Sequence, residues 1–427
     1  MMTRRIFLKN GSVALLSLGF APAFFTRAAE AAQAKRKVLV TVFQRGAVDG
    51  LNMIVPFGDK GYYQARPSIA IAKPGATGGC IDLDGFFGLH PRMSALAPYF
   101  KRGELAIINA AGSNDPTRSH FDAQDYMESG TPGVKSTRDG WLNRYLHARE
   151  HEEASAFRAV SLTQQLPRAL QGAAPALAID QLGRFGLRAG DRGDMMQSSF
   201  EAQYAAAADA MLRPTGKEAF EAVNQLKSVD LAKHTPANGA VYPNSGYGQA
   251  LKQIAQLVKA DMGLEVAFAE SGNWDHHANE GPQIANRLDD FAGGIAAFAQ
   301  DLGDKMADVM VLTMSEFGRT VAENGARGTD HGHGNAMLLL GGAVKGGKIY
   351  GKWPGLEREQ RYEGRDLAIT TDFRDVFSEV LTSHMGARDV TGVFPGYKPK
   401  GRLGLVRRNG EMAEMSEVAK CLQSLIG

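Results

Sequence analysis

MSEFGRTVAENGARGTDHGHG, residues Met314–Gly334, separates two short apolar runs, Asp308–Thr313 (DVMVLT) and Ala336–Gly342 (AMLLLGG). Runs of that length and character read as buried strands. The connection therefore carries Glu316, Asp330, His331 and His333 between two strands, with glycines at 325, 328, 332 and 334. Glycine permits turns that bring several polar side chains to face one point. Imidazole is both the commonest metal ligand and the usual acid or base near neutral pH. The segment is either a polar surface loop or the centre of a site, and loops on a rigid scaffold are where function collects.

Working outward, three more segments repeat the pattern. Lys37–Phe43 reads as a first strand, and Asp49 follows it in a glycine-flanked turn. Glu104–Gly112 reads as a second, followed by Arg118, Ser119 and His120 at the start of a helix. Leu264–Glu270 reads as a third, followed by Asp275, His276 and His277. Parallel α/β sheets bind ligands outside the carboxyl ends of their strands, which is where all four segments fall. Five of the ten histidines lie in them. Asp49 taken alone is a turn or cap residue as readily as a ligand. Ser119 is placed as a helix N-cap. A hydroxyl there also faces unpaired N–H groups and the positive end of the helix dipole, a setting suited to an attacking oxygen and an anionic ester, which Arg118 would clamp. Asp275 and His277 form an oxygen–nitrogen set for zinc or a similar divalent ion. His276 and Asp330 are expected to lie behind the site or face solvent.

The rest of the chain supplies organisation. Residues 57–90 are rich in glycine and proline and are expected to wrap the surface. Helices are expected at 91–102, 141–152, 283–302 and 371–381, with Thr371 or Asp372 capping the last. Residues 192–263 read as a helical insertion. Paired arginines in Thr3–Lys9, an uncharged stretch from Asn10 to Thr26 and small residues from Ala28 to Ala34 read as a twin-arginine export signal over 1–34. That stretch is short and only modestly apolar for a membrane anchor. A single domain over 35–427 is expected, exported to the periplasm. A net charge of +2 with no basic block after the signal argues against nucleic acid as a partner. The two cysteines, Cys80 and Cys421, give no framework pattern.

On Arg45–Gly50 (RGAVDG), Arg118–Gln124 (RSHFDAQ), Trp274–His277 (WDHH), Ser315–Thr320 (SEFGRT) and Gly328–Gly334 (GTDHGHG), the sequence resembles the twin-arginine-exported family catalogued as domain of unknown function 1501. That family is related to the alkaline phosphatase and sulfatase superfamily. The resemblance implies an α/β fold with a doubly wound, mostly parallel sheet, helices on both faces and a site for one or two divalent ions, zinc above all. It implies Asp49 as the first-strand ligand, Ser119 as nucleophile, and Asp275, His277 and one of His331 or His333 around one metal. Glu316 stands where the superfamily begins an Asp–His pair for a second metal. The next residue is Phe317 rather than histidine, so the second site is weak, rescued by His120, or absent. The function implied is hydrolysis of small anionic phosphate or sulfate esters after export by the twin-arginine translocase. The alternative is an exported binding or assembly protein that retains a reduced form of the site.

Overall fold

A computed structural model of the chain describes residues 36–149, 155–184 and 233–407. Val38–Gln44 (β1) is buried along its whole length, as are Leu105–Gly112 (β2), Val309–Met314 and Asn335–Gly341. A strand with no exposed residue needs cover on both faces. The remaining elements that build and cover the sheet are His120–Ser129 (α1), Trp141–His147 (α2), Ala159–Ser161 (β3), Leu177–Ala178 (β4), Gly246–Lys259 (α3), Val266–Ser271 (β5), Glu280–Leu302 (α4), Val309–Met314 (β6), Asn335–Gly341 (β7), Ile349–Tyr350 (β8), Thr371–Asp372 (β9) and Phe373–Glu379 (α5).

The strands make one 9-stranded sheet in the order β8-β2-β7-β6-β1-β5-β3-β4, with β9 also pairing β2. Every pairing is parallel except those of β7, which runs antiparallel to both β2 and β6. Side chains alternate cleanly between the two faces. Val38, Val40 and Val42 of β1 join Leu251 and Ile254 of α3 and Phe291 and Phe298 of α4 on one side. Leu39 and Phe43 join Trp141 and Tyr145 of α2 and Phe373 and Phe377 of α5 on the other. The fold is thus an α/β sandwich about a mixed, mostly parallel sheet, wound on both faces.

Several boundaries move from their expected places. The 283–302 helix begins at Glu280, whose side chain is buried. The 141–152 helix is described only to His147. Within residues 54–89, Ile54–Val55, Ile81–Asp82 and Gly88–Leu89 form a small three-stranded sheet beside the wrapping chain. Asp372, rather than Thr371, caps α5 by accepting from the Arg374 amide. The signal segment, Cys421 and most of the 192–263 insertion lie outside the described residues, and the described end of that insertion holds α3. No helix among the described residues is long and apolar enough to cross a membrane.

His384 is one of several buried groups that make stability pH-dependent. His384 donates from Nε2 to the Val38 carbonyl at 3.1 Å, while its Nδ1 is buried without a partner. Burial, with Lys37 nearby, pushes its pKa down to about 4. Because the folded value lies below the unfolded one, this contribution is complete above about pH 6.5 and is lost as pH falls towards 4. Between about pH 7 and about pH 5 the loss should be about 2 kcal/mol, and His384→Gln, which keeps a donor for Val38, should remove it. Urea titrations of both proteins at the two pH values check this; parallel losses would refute it.

Candidate metal centre at the carboxyl end of the sheet

Each expected segment does leave the sheet at the same edge. The turn after β1 runs through Gly46 and Ala47, both at positive φ (112° and 60°). A side chain at Gly46 would stand 2.9 Å from the backbone nitrogens of Trp274 and Asp275, so glycine lets the β1 and β5 exits touch. The segment between β6 and β7 is a folded hairpin: Gly332 N–H donates to Gly318 O at 2.8 Å, and Thr320 N–H to Asp330 O at 2.9 Å. A Cβ on Gly328 would fall 2.3 Å from the His277 carbonyl carbon, so the hairpin tip lies directly on the segment after β5.

This packing gathers four side chains. Nitrogen and oxygen donor atoms of His120, Asp275 and His331 all lie within 4.8 Å of one another. His120 Nε2 is 3.0 Å from His331 Nε2 and 3.4 Å from Asp275 Oδ2, and His331 Nε2 is 3.2 Å from Asp275 Oδ1. His277 joins from the other side, its Nε2 3.0 Å from His331 Nε2 and 2.9 Å from Asp275 Oδ1. Each imidazole is held by its other nitrogen. His120 Nδ1 meets Glu316 Oε1 at 2.8 Å, His277 Nδ1 meets Asp330 Oδ1 at 3.1 Å, and His331 Nδ1 meets the Arg118 carbonyl at 2.8 Å. All three partners are acceptors, so each Nδ1 carries the proton and each Nε2 presents a lone pair to the cluster.

The His120 and His331 lone pairs and the Asp275 carboxylate, facing one another, repel unless a cation or a proton lies between them. The observed separations are close to the edge of about 3.3 Å expected for donors placed tetrahedrally at about 2.0–2.1 Å from zinc. Outer acceptors that fix the tautomer and raise ligand basicity are the usual support of metal-bound histidine. The donor set therefore fits a divalent ion of zinc type. The electrostatics agree. The bond to Glu316 raises the His120 pKa. Burial lowers that of His331. At Asp275 burial is outweighed by Arg319, whose Nη1 donates to Oδ1 at 2.7 Å, so the carboxyl is held below its usual range. Asp275 is 41% exposed, which leaves the cluster open to solvent.

Other expected participants are placed differently. Asp49 is buried, with both oxygens bonded to the Arg66 guanidinium, and it meets none of the four donors. Glu316 supports rather than joins the group: its Oε1 also accepts from Gly46 N–H and Gln124 Nε2 at 2.8 Å each, and its Oε2 from Ser315 at 3.0 Å. His333 is buried with its ring stacked on Tyr362 at 4.1 Å, and burial pushes its pKa down to about 4. Arg118 spends its guanidinium on Asp366 and Glu363 and meets the cluster only through its carbonyl. Ser119 is exposed at the N-cap position of α1, and its hydroxyl accepts no bond from the first turn. Asp330 stands behind His277, as expected, whereas His276 is buried rather than exposed.

Phe317 lies against the cluster rather than in it. It is buried with Ala47 and Ala123, its ring 5.0 Å from that of His120 and 5.2 Å from that of His331. The space beside the cluster is an apolar floor with no donor in it. Among the described residues, no other group of histidine, cysteine and carboxylate side chains converges in this way. The sequence reading missed Arg319 and Gln124, although both stand inside the quoted motifs.

A mixed α/β sheet with a histidine–carboxylate cluster at its carboxyl edge defines the class. The chain belongs to the family described as "Protein of unknown function (DUF1501)", whose model matches residues 36–387. Among curated proteins none matches it in sequence. Solved structures similar to it include a protein in the alkaline phosphatase superfamily from Vibrio parahaemolyticus, at 10% identity and TM-score 0.35, covering 74% of this chain and 62% of that one. The C-terminal periplasmic domain of EcEptC from Escherichia coli is similar at 11% identity and TM-score 0.38, covering 86% and 89%. A sulfatase from Pseudoalteromonas sp. is similar at 13% identity and TM-score 0.40, covering 90% and 75%.

Proposed function

We propose that the protein is an exported hydrolase of phosphate or sulfate esters built on a single divalent-metal centre, with His120, Asp275 and His331 as ligands and His277 beside them. The observation that carries this reading is the convergence of the His120 and His331 Nε2 atoms on Asp275, each imidazole fixed from behind by its own acceptor. A divalent ion held there would supply Lewis-acid stabilisation of an ester oxygen and would lower the pKa of a bound water. The chain's own residues supply the rest. Ser119, exposed and uncommitted at the start of α1, stands one residue from His120 as the attacking hydroxyl. The unpaired amides of the first turn of α1 face negative charge developing on the ester. Glu316 holds the His120 proton on Nδ1, away from the reacting side. Export through the twin-arginine translocase to the periplasm is part of the same proposal, resting on the arginine pair and small-residue stretch over 1–34.

A second reading, an exported binding protein without turnover, is favoured by Phe317, because the apolar floor removes the second metal on which relatives of this chemistry usually rely. The two separate on a panel of aryl phosphates, phosphodiesters and aryl sulfates, assayed with zinc and with manganese. The hydrolase reading expects turnover that Ser119→Ala lowers by about 10²-fold or more at unchanged metal content. Bound metal with no turnover on the panel would establish the binding protein instead.

A further inference from the structure

Beside the metal centre, at the carboxyl ends of β1, β5, β3 and β4, lies a cavity of about 690 Å³. Its polar wall carries Thr163, Gln164, Gln165 and Gln181, and its apolar wall Leu162, Leu166 and Pro167. Gln164, Gln165 and Gln181 are exposed, and no described residue bonds their side-chain amides. Arg45 forms the partition between cavity and cluster. Its guanidinium bonds Glu270 at 2.6 Å and Glu128 at 2.8 Å, and Nη1 donates to Gln124 Oε1 at 3.0 Å. Gln124 in turn donates to Glu316, the residue that holds His120.

The chemistry of the walls restricts the occupant. The charge of Arg45 is already answered by two carboxylates, and Asp180 adds another at the rim, so nothing here attracts a second anion. Free primary amides are both donors and acceptors, which suits hydroxyl groups, themselves both. The apolar wall offers a surface for the C–H face of a ring. Phe121, 90% exposed, is the most exposed large apolar side chain among the described residues. It shares a flank of α1 with Gln124, which reaches Arg45, and with Asp125, which pairs with Arg168 at 3.3 Å. Phe121 therefore stands on the side of α1 that faces the cavity, next to His120.

We infer that this cavity is a subsite for a neutral polyhydroxylated group, a sugar unit belonging to the ester cleaved at the metal centre, with Phe121 as its stacking platform. The inference rests on the hydrolase reading for the ester, but sugar binding itself requires neither metal nor turnover. The full exported chain is titrated calorimetrically with methyl glycosides and with neutral disaccharides of glucose, galactose and mannose. At least one should bind with a millimolar Kd, and Gln164→Ala combined with Gln165→Ala should weaken it about tenfold, the loss of one or two hydrogen bonds. Phe121→Ala should weaken it comparably. All three side chains are exposed, so an unchanged melting temperature verifies the fold of each variant. No binding across the panel, or binding that neither variant alters, overturns the subsite. Sugar binding in a protein that cleaves no aryl ester supports the subsite while sinking the hydrolase reading; turnover of aryl esters without sugar binding does the reverse.

Discussion

His331→Ala is expected to leave the purified protein essentially free of bound metal, where one ion per chain is expected of the wild type. His331 is the hub of the cluster, since its Nε2 lies within 3.2 Å of donors on His120, His277 and Asp275. Removing it deletes one donor and separates the other two imidazoles from each other. Loss of an outer partner alone typically weakens a metal site about 10–100-fold, and loss of the ligand itself should exceed that. Glu316→Gln supplies the graded comparison. It keeps an oxygen for the Gly46 amide and for the proton on His120 Nδ1 but removes the negative charge, so affinity should fall about 10–100-fold with the fold retained. Elemental analysis after dialysis against zinc, with chelator competition for affinity, reads both. Two ions per wild-type chain would contradict the apolar floor made by Phe317, and full retention of metal by His331→Ala would refute the ligand set.

The sheet edge on which these residues meet was legible in the sequence, because a strand buried on both faces has a continuous apolar run that ends where the chain turns polar. Asp275, His277 and His331 could be placed from that rule alone. Their division of labour could not. His331 and His333 are two residues apart and look equivalent, yet Gly332 pairs with Gly318 within the hairpin whereas Gly334 N–H donates to Leu367 O. Gly318 N–H still donates to His333 O at 2.9 Å, so the backbone changes partner only after His333, whose imidazole stacks on Tyr362. The antiparallel direction of β7 was hidden for a related reason: a strand covered on both faces has the same composition whichever way it runs. The support of His331 by the Arg118 carbonyl leaves no trace in any side chain.

Asp49 shows the same limit more sharply, and replacing it should have the largest effect on stability. Its place after β1 was read correctly, but nothing in the sequence announced that Arg66, within the glycine- and proline-rich stretch, would reach it. Arg66 and Asp49 are both buried, with Nη2 donating to Oδ1 at 3.0 Å. The same guanidinium donates to the Val321 and Thr320 carbonyls at 2.8 and 2.9 Å, so it also ties down the hairpin that carries His331. Glu280 lies against the pair, accepting from Thr329 Oγ1 at 2.7 Å and from Asn52 at 3.1 Å. Two buried carboxyls beside one arginine cannot both ionise freely. At Asp49 burial is outweighed by Arg66 and the carboxyl is held low; at Glu280 burial and the Asp49 charge push it well above its ordinary range.

Of the two carboxyls Glu280 is therefore the one that favours its protonated form, which separates two substitutions that look alike on paper. Asp49→Asn removes the negative charge opposite a fully buried guanidinium and should cost about 3–5 kcal/mol. It should also loosen the hairpin and weaken metal binding. Glu280→Gln fixes the uncharged form that the fold already favours at this position and should cost far less than Asp49→Asn. The pH profile provides the sign. A carboxyl whose folded pKa is raised adds stability that is complete below its unfolded value and is lost as pH rises through the folded one. Wild-type stability should thus decline as pH rises above the ordinary glutamate value of about 4.3, by an amount that Glu280→Gln does not show. Urea midpoints of the three proteins across that range measure it. If Glu280→Gln proved as damaging at neutral pH as Asp49→Asn, Glu280 would have to be ionised in the folded protein, and Arg66 would be balancing two charges rather than one.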